Sequence, residues 1–397
     1  MLNKLNIFTL SGLMIGPVLG TGIILLPPLI YDITHEYSLF IWGMILLCGV
    51  IFALIFAKLS IIYKGEEGAS LATKKVLGVK YQKLTAFYLI SAVCFGPVAV
   101  LLIGVEFIKE YFVSLSSIGM GVIVYLLIYL LLIQKIKVIG LIMLVATSLT
   151  SIILVYASVN ILFETSNYEI NLFSISYQDI GYAFLLAFWA IVGWEIIGNY
   201  SADVRDVTVI KKAVLYSSAI VTIIYILIAS AVLFGDFTNK SDTFNLIWLL
   251  QPTFGIYSNL ILTLMSLILS MGTLIMFIGG VARLISSLNL TRITSYTLKS
   301  DAPIGALTFL AIIHMGMLYL VSQNILNIDK LVAIADGFFI ANAIIGLATA
   351  IKLFKKGFLY TCSYILIAVF FVILLFSNSY ILFFIIGLFI YTYLFKL

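Results

Sequence analysis

Twelve apolar runs, each separated from the next by a polar break, leave this chain little choice of fold. They cover about residues 7–31, 40–62, 84–108, 117–134, 138–163, 181–198, 213–235, 255–282, 304–322, 331–351, 358–376 and 379–395. A helix crosses a bilayer with about 20 apolar residues, and lipid tolerates only structures that satisfy their own backbone hydrogen bonds. Only 10% of the residues are charged, against about 25% in soluble domains. The expectation is therefore an all-α, polytopic membrane protein of about twelve transmembrane helices in a single domain, 1–397. The first run is too long, and lacks the small-residue cleavage site, for a signal peptide. Cys48, Cys94 and Cys362 fall inside apolar runs without metal-ligand spacing, as small core residues do.

The basic residues sort by side. Of 22 Lys and Arg, only Lys109, Lys240 and Lys330 fall in the breaks of one side, and the other 19 fall on the opposite side. The positive-inside bias puts both termini in the cytoplasm of a plasma-membrane protein. Asp32, Glu36, Glu106, Glu110, Glu164, Glu169, Asp179, Asp236, Asp242 and Asp329 gather on the outer side. A net charge of +5 distributed in this way serves topology and lipid contact, not nucleic-acid binding. The basic, glycine-containing connection from Tyr63 to Lys83 is either a solvated loop over lipid headgroups or a short amphipathic element beneath the bundle that moves with gating.

Two runs are broken at their centres. In the first, Gly16-Pro17-Val18-Leu19-Gly20-Thr21-Gly22 interrupts an apolar helix; glycine costs about 1 kcal/mol and proline about 3 relative to alanine there. In the sixth, Trp189-Ala190-Ile191-Val192-Gly193-Trp194-Glu195 places a glycine and an acid in mid-membrane. Interrupted segments at corresponding positions of two halves point to an inverted-repeat transporter with its site at the bilayer midplane. The repeats would span about 7–163 and 181–351, with additional helices at about 358–395.

Freed N–H groups of Gly20, Thr21 and Gly22, at the positive end of an outer half-helix, suit a carboxylate. Freed carbonyls near Val18, Trp189 and Val192 suit an ammonium or a cation. Together they describe an α-amino acid site that includes Gly193; the alternative for the first run is a proline-kinked packing helix. Glu195 lies within a span core, where an acid is costly and by default functional. It would hold the unwound backbone by accepting N–H bonds, or take up a proton during the cycle. Trp189 would close over substrate or simply pack. Asp336 would line an outer vestibule or reach the interface. Arg283 would anchor the inner end of the eighth span, and His314 reads as a satisfied packing histidine rather than a proton relay. Ser270 and Thr273 would assist a sodium site or bond to their own helix.

Gly16-Pro17-Val18-Leu19-Gly20-Thr21-Gly22-Ile23, ending in Pro27, resembles the first-helix signature of the amino acid–polyamine–organocation (APC) superfamily of permeases. Phe188-Trp189 with Gly193-Trp194-Glu195 is similar to its sixth-helix pattern, and Tyr63 through Gly68 to its second loop, although Lys64 and Glu67 depart from that signature. Phe95-Gly96-Pro97 resembles bacterial neutral amino-acid exporters and exchangers. The resemblance implies a LeuT-like 5+5 inverted repeat with broken helices 1 and 6 and two extra C-terminal helices. It implies a substrate carboxylate on the amides of Thr21 and Gly22, its amine on the carbonyls of Val18, Trp189 and Val192, and a gating aromatic at Trp189.

The expected function is secondary active transport of small neutral, apolar amino acids by alternating access, as a monomer or homodimer. No cofactor or bound metal is expected; sodium symport, proton antiport and uncoupled exchange stay open. One rival is a non-transporting amino-acid sensor on the same scaffold, such as a germinant-receptor subunit. Another is a polytopic membrane enzyme, for which the chain has neither a sizeable loop nor a catalytic constellation at a membrane face.

Overall fold

The computed structural model describes residues 4–65, 67–109, 115–165, 175–235, 246–289, 291–377 and 379–394. Of the charges assigned to sides above, Glu110, Glu169, Asp236, Lys240, Asp242 and the side chain of Asp329 lie outside the described residues.

Helices account for the described chain, and the one backbone bridge is an isolated pairing of Leu5 with Val204. The first span is two helices, α1 (Ile7–Leu19) and α2 (Gly22–Thr34). After α3 (Ser38–Ile62) a short α4 (Ala69–Val76) lies in the basic connection, so the amphipathic element exists. Then come α5 (Val79–Lys109), α6 (Ser117–Leu132) and α7 (Ile136–Glu164). The sixth span begins as α8 (Tyr177–Phe188), followed by α9 (Val207–Phe234), a short α10 (Ile247–Phe254) and α11 (Ser258–Ser287). Four further helices close the chain: α12 (Ile304–Ser322), α13 (Ile328–Phe354), α14 (Phe358–Leu375) and α15 (Ser379–Leu394).

All twelve expected crossings are present as helical segments. Nine segments among the described residues are long and apolar enough to span by themselves, one of them, Ile7–Ile62, containing two crossings, and α6 and α15 are shorter apolar helices. Two boundaries move. The eighth crossing is preceded by α10, which ends where Gly255 takes φ +53°. The helix of the third crossing continues through Pro97, with no interruption in α5.

The broken spans occupy the middle of the bundle. α1 packs on α7, α9 and α11, and α2 on α8 and α9, while α5 runs along α13 and α11. α7 carries Val145, Leu149, Ile152 and Tyr156 exposed along one face. That spacing of three and four residues is a helical stripe, and an apolar stripe left uncovered suits lipid. Lys4 and Tyr393, near the two limits of the described residues, lie at one end of the bundle. Lys4 Nζ donates to the Ala202 carbonyl at 2.6 Å, and Lys80 Nζ to the Tyr393 carbonyl at 3.4 Å.

Candidate functional site: two interrupted helices beneath a vestibule

The first break is sharper than the glycine–proline run suggests. Pro17 is accommodated inside α1, and the turn comes at Gly20, whose φ of +45° disfavours any residue with a Cβ. The Gly20 N–H donates to the Gly16 carbonyl at 2.7 Å and so belongs to the inner half-helix. The free donor end therefore starts one residue later than expected. Thr21 caps α2, its carbonyl already accepting from Ile24 and Leu25 at 3.2 and 3.3 Å. The first turn of a helix leaves its N–H groups without intrahelical acceptors, here those of Thr21, Gly22 and Ile23. The Thr21 hydroxyl is also buried without a partner.

The carbonyls on the other side of the break are held from neighbouring helices. The Tyr225 hydroxyl, on α9, lies 3.4 Å from the Val18 oxygen and 3.2 Å from that of Leu19. Its ring stacks on Trp42, 4.8 Å between centroids. Thr273 Oγ1 donates to Leu269 in its own helix at 3.0 Å and sits 3.4 Å from the Pro17 carbonyl. Ser270, three residues away, faces elsewhere: it packs against Gly104 of α5, and its buried hydroxyl has no partner. Only Thr273 of that pair reaches the first-helix carbonyls.

In the sixth span α8 tightens into a 3-10 turn at Trp189–Ile191 and then unwinds. Val192 is extended, and Gly193 takes φ +122°, a conformation that requires glycine. Glu195 is buried, and its Oε2 accepts the Gly193 N–H at 3.0 Å. That contact matches the first of the two roles weighed for Glu195. Beyond it the chain runs as a 3-10 helix from Ile196 to Asp203. Runs of 3-10 helix longer than three or four residues are uncommon, and in mid-helix they often mark a hinge.

A vestibule of about 400 Å3 opens above these breaks. Thr21, Gly22 and Trp189 line it together with Leu25, Leu29, Leu185 and Val332, and Asp336 faces it from α13. Of the two placements considered for Asp336 the vestibule is therefore the one found, and the residue is buried with Oδ1 unpartnered. Below lies a void of about 20 Å3 among Pro17, Pro97, Val192, Thr273 and Phe277, room for about one water. Trp189 lines both spaces and stands between them. Gly193 lies deeper, against Val18 and Met276.

The vestibule is reached at the ends of α2 and α14 and the starts of α8 and α13, opposite the face that carries both termini. On the termini face the same breaks are sealed by contacts that the sequence alone did not bring together. Asp203 Oδ2 pairs with Arg283 Nε at 3.1 Å, and the guanidinium lies 4.8 Å from the centre of the Tyr200 ring. The Leu5 N–H donates to the Asp203 carbonyl at 2.9 Å and Lys64 Nζ to the Val204 carbonyl at 3.2 Å. Ser201 exchanges two 2.9 Å bonds with the backbone of Gly65. The unwound half of span six is thus tied to the N-terminus, to the connection before α4 and to α11.

His314 is far simpler. Its Nε2 donates to the Val93 carbonyl at 2.7 Å and its Nδ1 accepts the Tyr125 hydroxyl at 2.8 Å, because a carbonyl can only accept. It is a satisfied packing histidine joining α12 to α5 and α6. Among the described residues no cluster of His, Cys, Asp or Glu has the arrangement of a metal site.

No curated protein sequence matches the chain. Among solved structures, a single-residue variant of the manganese transporter of Eremococcus coleocola superposes with a TM-score of 0.63 at 12% identity, over 97% of this chain and 93% of that one. At that identity the likeness speaks for the fold alone: this chain shares the helical architecture of that protein. The sequence model of the family described as amino acid permease matches residues 5–394, so the chain belongs to the amino acid permease family of the APC superfamily.

Proposed function

We infer that this permease is a secondary active transporter of small neutral, predominantly apolar amino acids, working by alternating access in the plasma membrane. The observation that carries the reading is the N–H end of α2 at Thr21 and Gly22, opening into a vestibule lined mainly by apolar side chains whose opposite end is sealed. A helix N-terminus carries about half a positive charge, and walls such as Leu25, Leu29 and Leu185 favour an aliphatic side chain. The carboxylate would rest on the amides of Thr21 and Gly22. The carbonyls of Val18, Trp189 and Val192 would take the ammonium as the breaks close around it, with Trp189 as the moving septum and Gly193 as the pivot. Two five-span repeats, 7–163 and 181–351, would supply the paired breaks.

With both termini in the cytoplasm, as the basic residues indicate, this conformation is open to the outside. Release to the cytoplasm would require the Asp203–Arg283 pair and the neighbouring backbone ties to part. Thr273 would contribute to a sodium site if transport is sodium-coupled, and Glu195 to proton coupling if it is not.

The test is a thermal-shift screen of the twenty protein amino acids on purified protein, with and without sodium at two pH values, followed by uptake of the best binder into proteoliposomes. Stabilisation and uptake by neutral aliphatic amino acids are expected. Binding without flux would support a sensor in place of a transporter, and no binding by any amino acid would overturn the reading.

A further inference from the structure

Among the described residues, Asp336 is the one carboxyl group lining the vestibule. It is 6% exposed, and its Oδ1 is buried without a hydrogen-bond partner. Among the described residues no Lys, Arg or His lines the cavity to neutralise it; the other polar contributors there are Thr21, Tyr182 and Ser377, besides the backbone at Gly22. A buried acid without a partner is expensive inside a membrane protein and marks a functional site by default.

The lining residues also place it in depth. Down α8 they run from Tyr182 to Trp189, and down α13 from Ile328 to Asp336; up α2 they run from Thr21 to Leu29. Asp336, Trp189 and Thr21 are therefore each the innermost lining residue of their helix. α13 packs along α5 and α14, whereas α2 packs on α8 and α9, so Asp336 and the α2 N-terminus line different sides of the cavity floor. One side offers a buried carboxyl group without a partner, and the other offers N–H groups with partial positive charge. A dipolar ligand is the charge complement of that floor. A simple carboxylic acid would leave the Asp336 carboxyl without a cationic partner, and a simple amine would leave the α2 donors unpaired.

Of the carbonyls that would otherwise receive an ammonium, those of Val18 and Val192 belong to residues outside the vestibule lining, and that of Trp189 already accepts the Val192 N–H at 3.3 Å. Val18 and Leu19 lie within reach of the Tyr225 hydroxyl, and Val192 lines the small void beneath Trp189. We propose that Asp336 is a subsite for an ammonium group of the substrate, facing the α2 N-terminus across the vestibule floor. The proposal rests on the reading of the vestibule as an amino-acid site and adds to it: a substrate must carry a cationic amine, and α13 takes part in selecting it. The ammonium is the α-amine of a neutral amino acid or the side-chain amine of a dibasic one, and the vestibule walls admit the aliphatic stem of either.

The experiment compares full-length wild type with Asp336→Asn, Asp336→Ser and Asp336→Glu, using the twenty protein amino acids and 4-methylpentanoate, the deaminated analogue of leucine. Affinity is read by thermal shift in sodium chloride and again in N-methylglucamine chloride. Asn has nearly the shape of Asp, and Ser provides a second uncharged variant should Asn perturb packing. The expected result is a loss of about tenfold or more in amino-acid affinity in both uncharged variants, partial recovery in Asp336→Glu, and no competition by 4-methylpentanoate against wild type. Loss for leucine and lysine alike assigns the α-amine; loss of a preference for lysine alone assigns the side-chain amine. Wild-type affinity in the uncharged variants overturns the proposal while the amino-acid site stands. So does an effect confined to sodium dependence, which would make Asp336 a ligand of an inorganic cation. Failure of every amino acid to stabilise wild type is a different outcome, which removes the amino-acid site and this subsite with it.

Discussion

The backbone N–H of Gly193 donates to the carboxylate of Glu195 two residues further on, at 3.0 Å, with both residues buried. Where the sixth span unwinds, its own acid takes the place of the missing helical acceptor. Glu195→Gln keeps an oxygen for that N–H, so stability should stay within about 1 kcal/mol of wild type. Glu195→Ala leaves the N–H unsatisfied and should cost about 1–3 kcal/mol, read as a lower melting temperature. Transport by Glu195→Gln should fall or lose its dependence on pH. Wild-type flux at every pH would remove Glu195 from the cycle.

A second prediction concerns the floor of the vestibule. A Cβ placed on Gly22 would lie 3.1 Å from Trp189 Cδ1, 3.2 Å from the Tyr225 hydroxyl and 3.3 Å from Leu26 Cδ1. Gly22→Ala should therefore weaken amino-acid binding, and Gly22→Leu should abolish protection in a thermal-shift assay. Undiminished protection of a folded Gly22→Leu protein would move the carboxylate site away from α2.

The contacts that close the termini face can be loosened singly. The side chains of Asp203 and Arg283 are 19% and 10% exposed, so removing one charge strands its partner in poorly hydrated surroundings. A fully buried pair broken in this way loses about 3–5 kcal/mol, and the residual exposure here places Asp203→Asn below that range. The more specific readout is access. In a protein with Cys48, Cys94 and Cys362 replaced by serine, labelling of Val18→Cys from the termini side should rise several-fold with Asp203→Asn. Equal labelling would mean that the ion pair does not hold that face shut.

His314 offers a negative control for proton coupling. Tyr125→Phe removes the donor to Nδ1 from a buried pair and should cost about 1–3 kcal/mol of stability. Neither it nor His314→Asn should alter the pH profile of transport. A shifted profile in His314→Asn would show that the imidazole carries protons after all.

Much of this was legible in the sequence because membrane helices announce their exceptions. Gly20 and Gly193 sit in apolar runs where a helix would disfavour them, and both adopt the left-handed backbone that glycine permits. The position of the turn within the first run was less legible. Pro17 looks like the breaker, yet α1 carries it without interruption and gives way only at Gly20. The length of the unwound sixth span was not readable either, because nothing in Ile196 to Asp203 distinguishes a 3-10 run from an ordinary helix end. Contacts between distant spans were hidden altogether. Ser270 and Thr273 stand three residues apart on α11, yet one meets α5 and the other α1, since α11 is wedged between them. Tyr225 gave one faint signal, a hydroxyl in the middle of an apolar run, and it proves to be the group that reaches the first-helix carbonyls.

The most direct measurement is counterflow of a labelled neutral amino acid, chosen as the best binder, into proteoliposomes preloaded with the same amino acid unlabelled. The account predicts transient accumulation with the wild-type protein, and none with Gly22→Leu, which blocks the α2 end of the site. Absence of wild-type accumulation despite saturable binding, or equal accumulation by Gly22→Leu, would contradict a transport cycle built on these two interrupted helices.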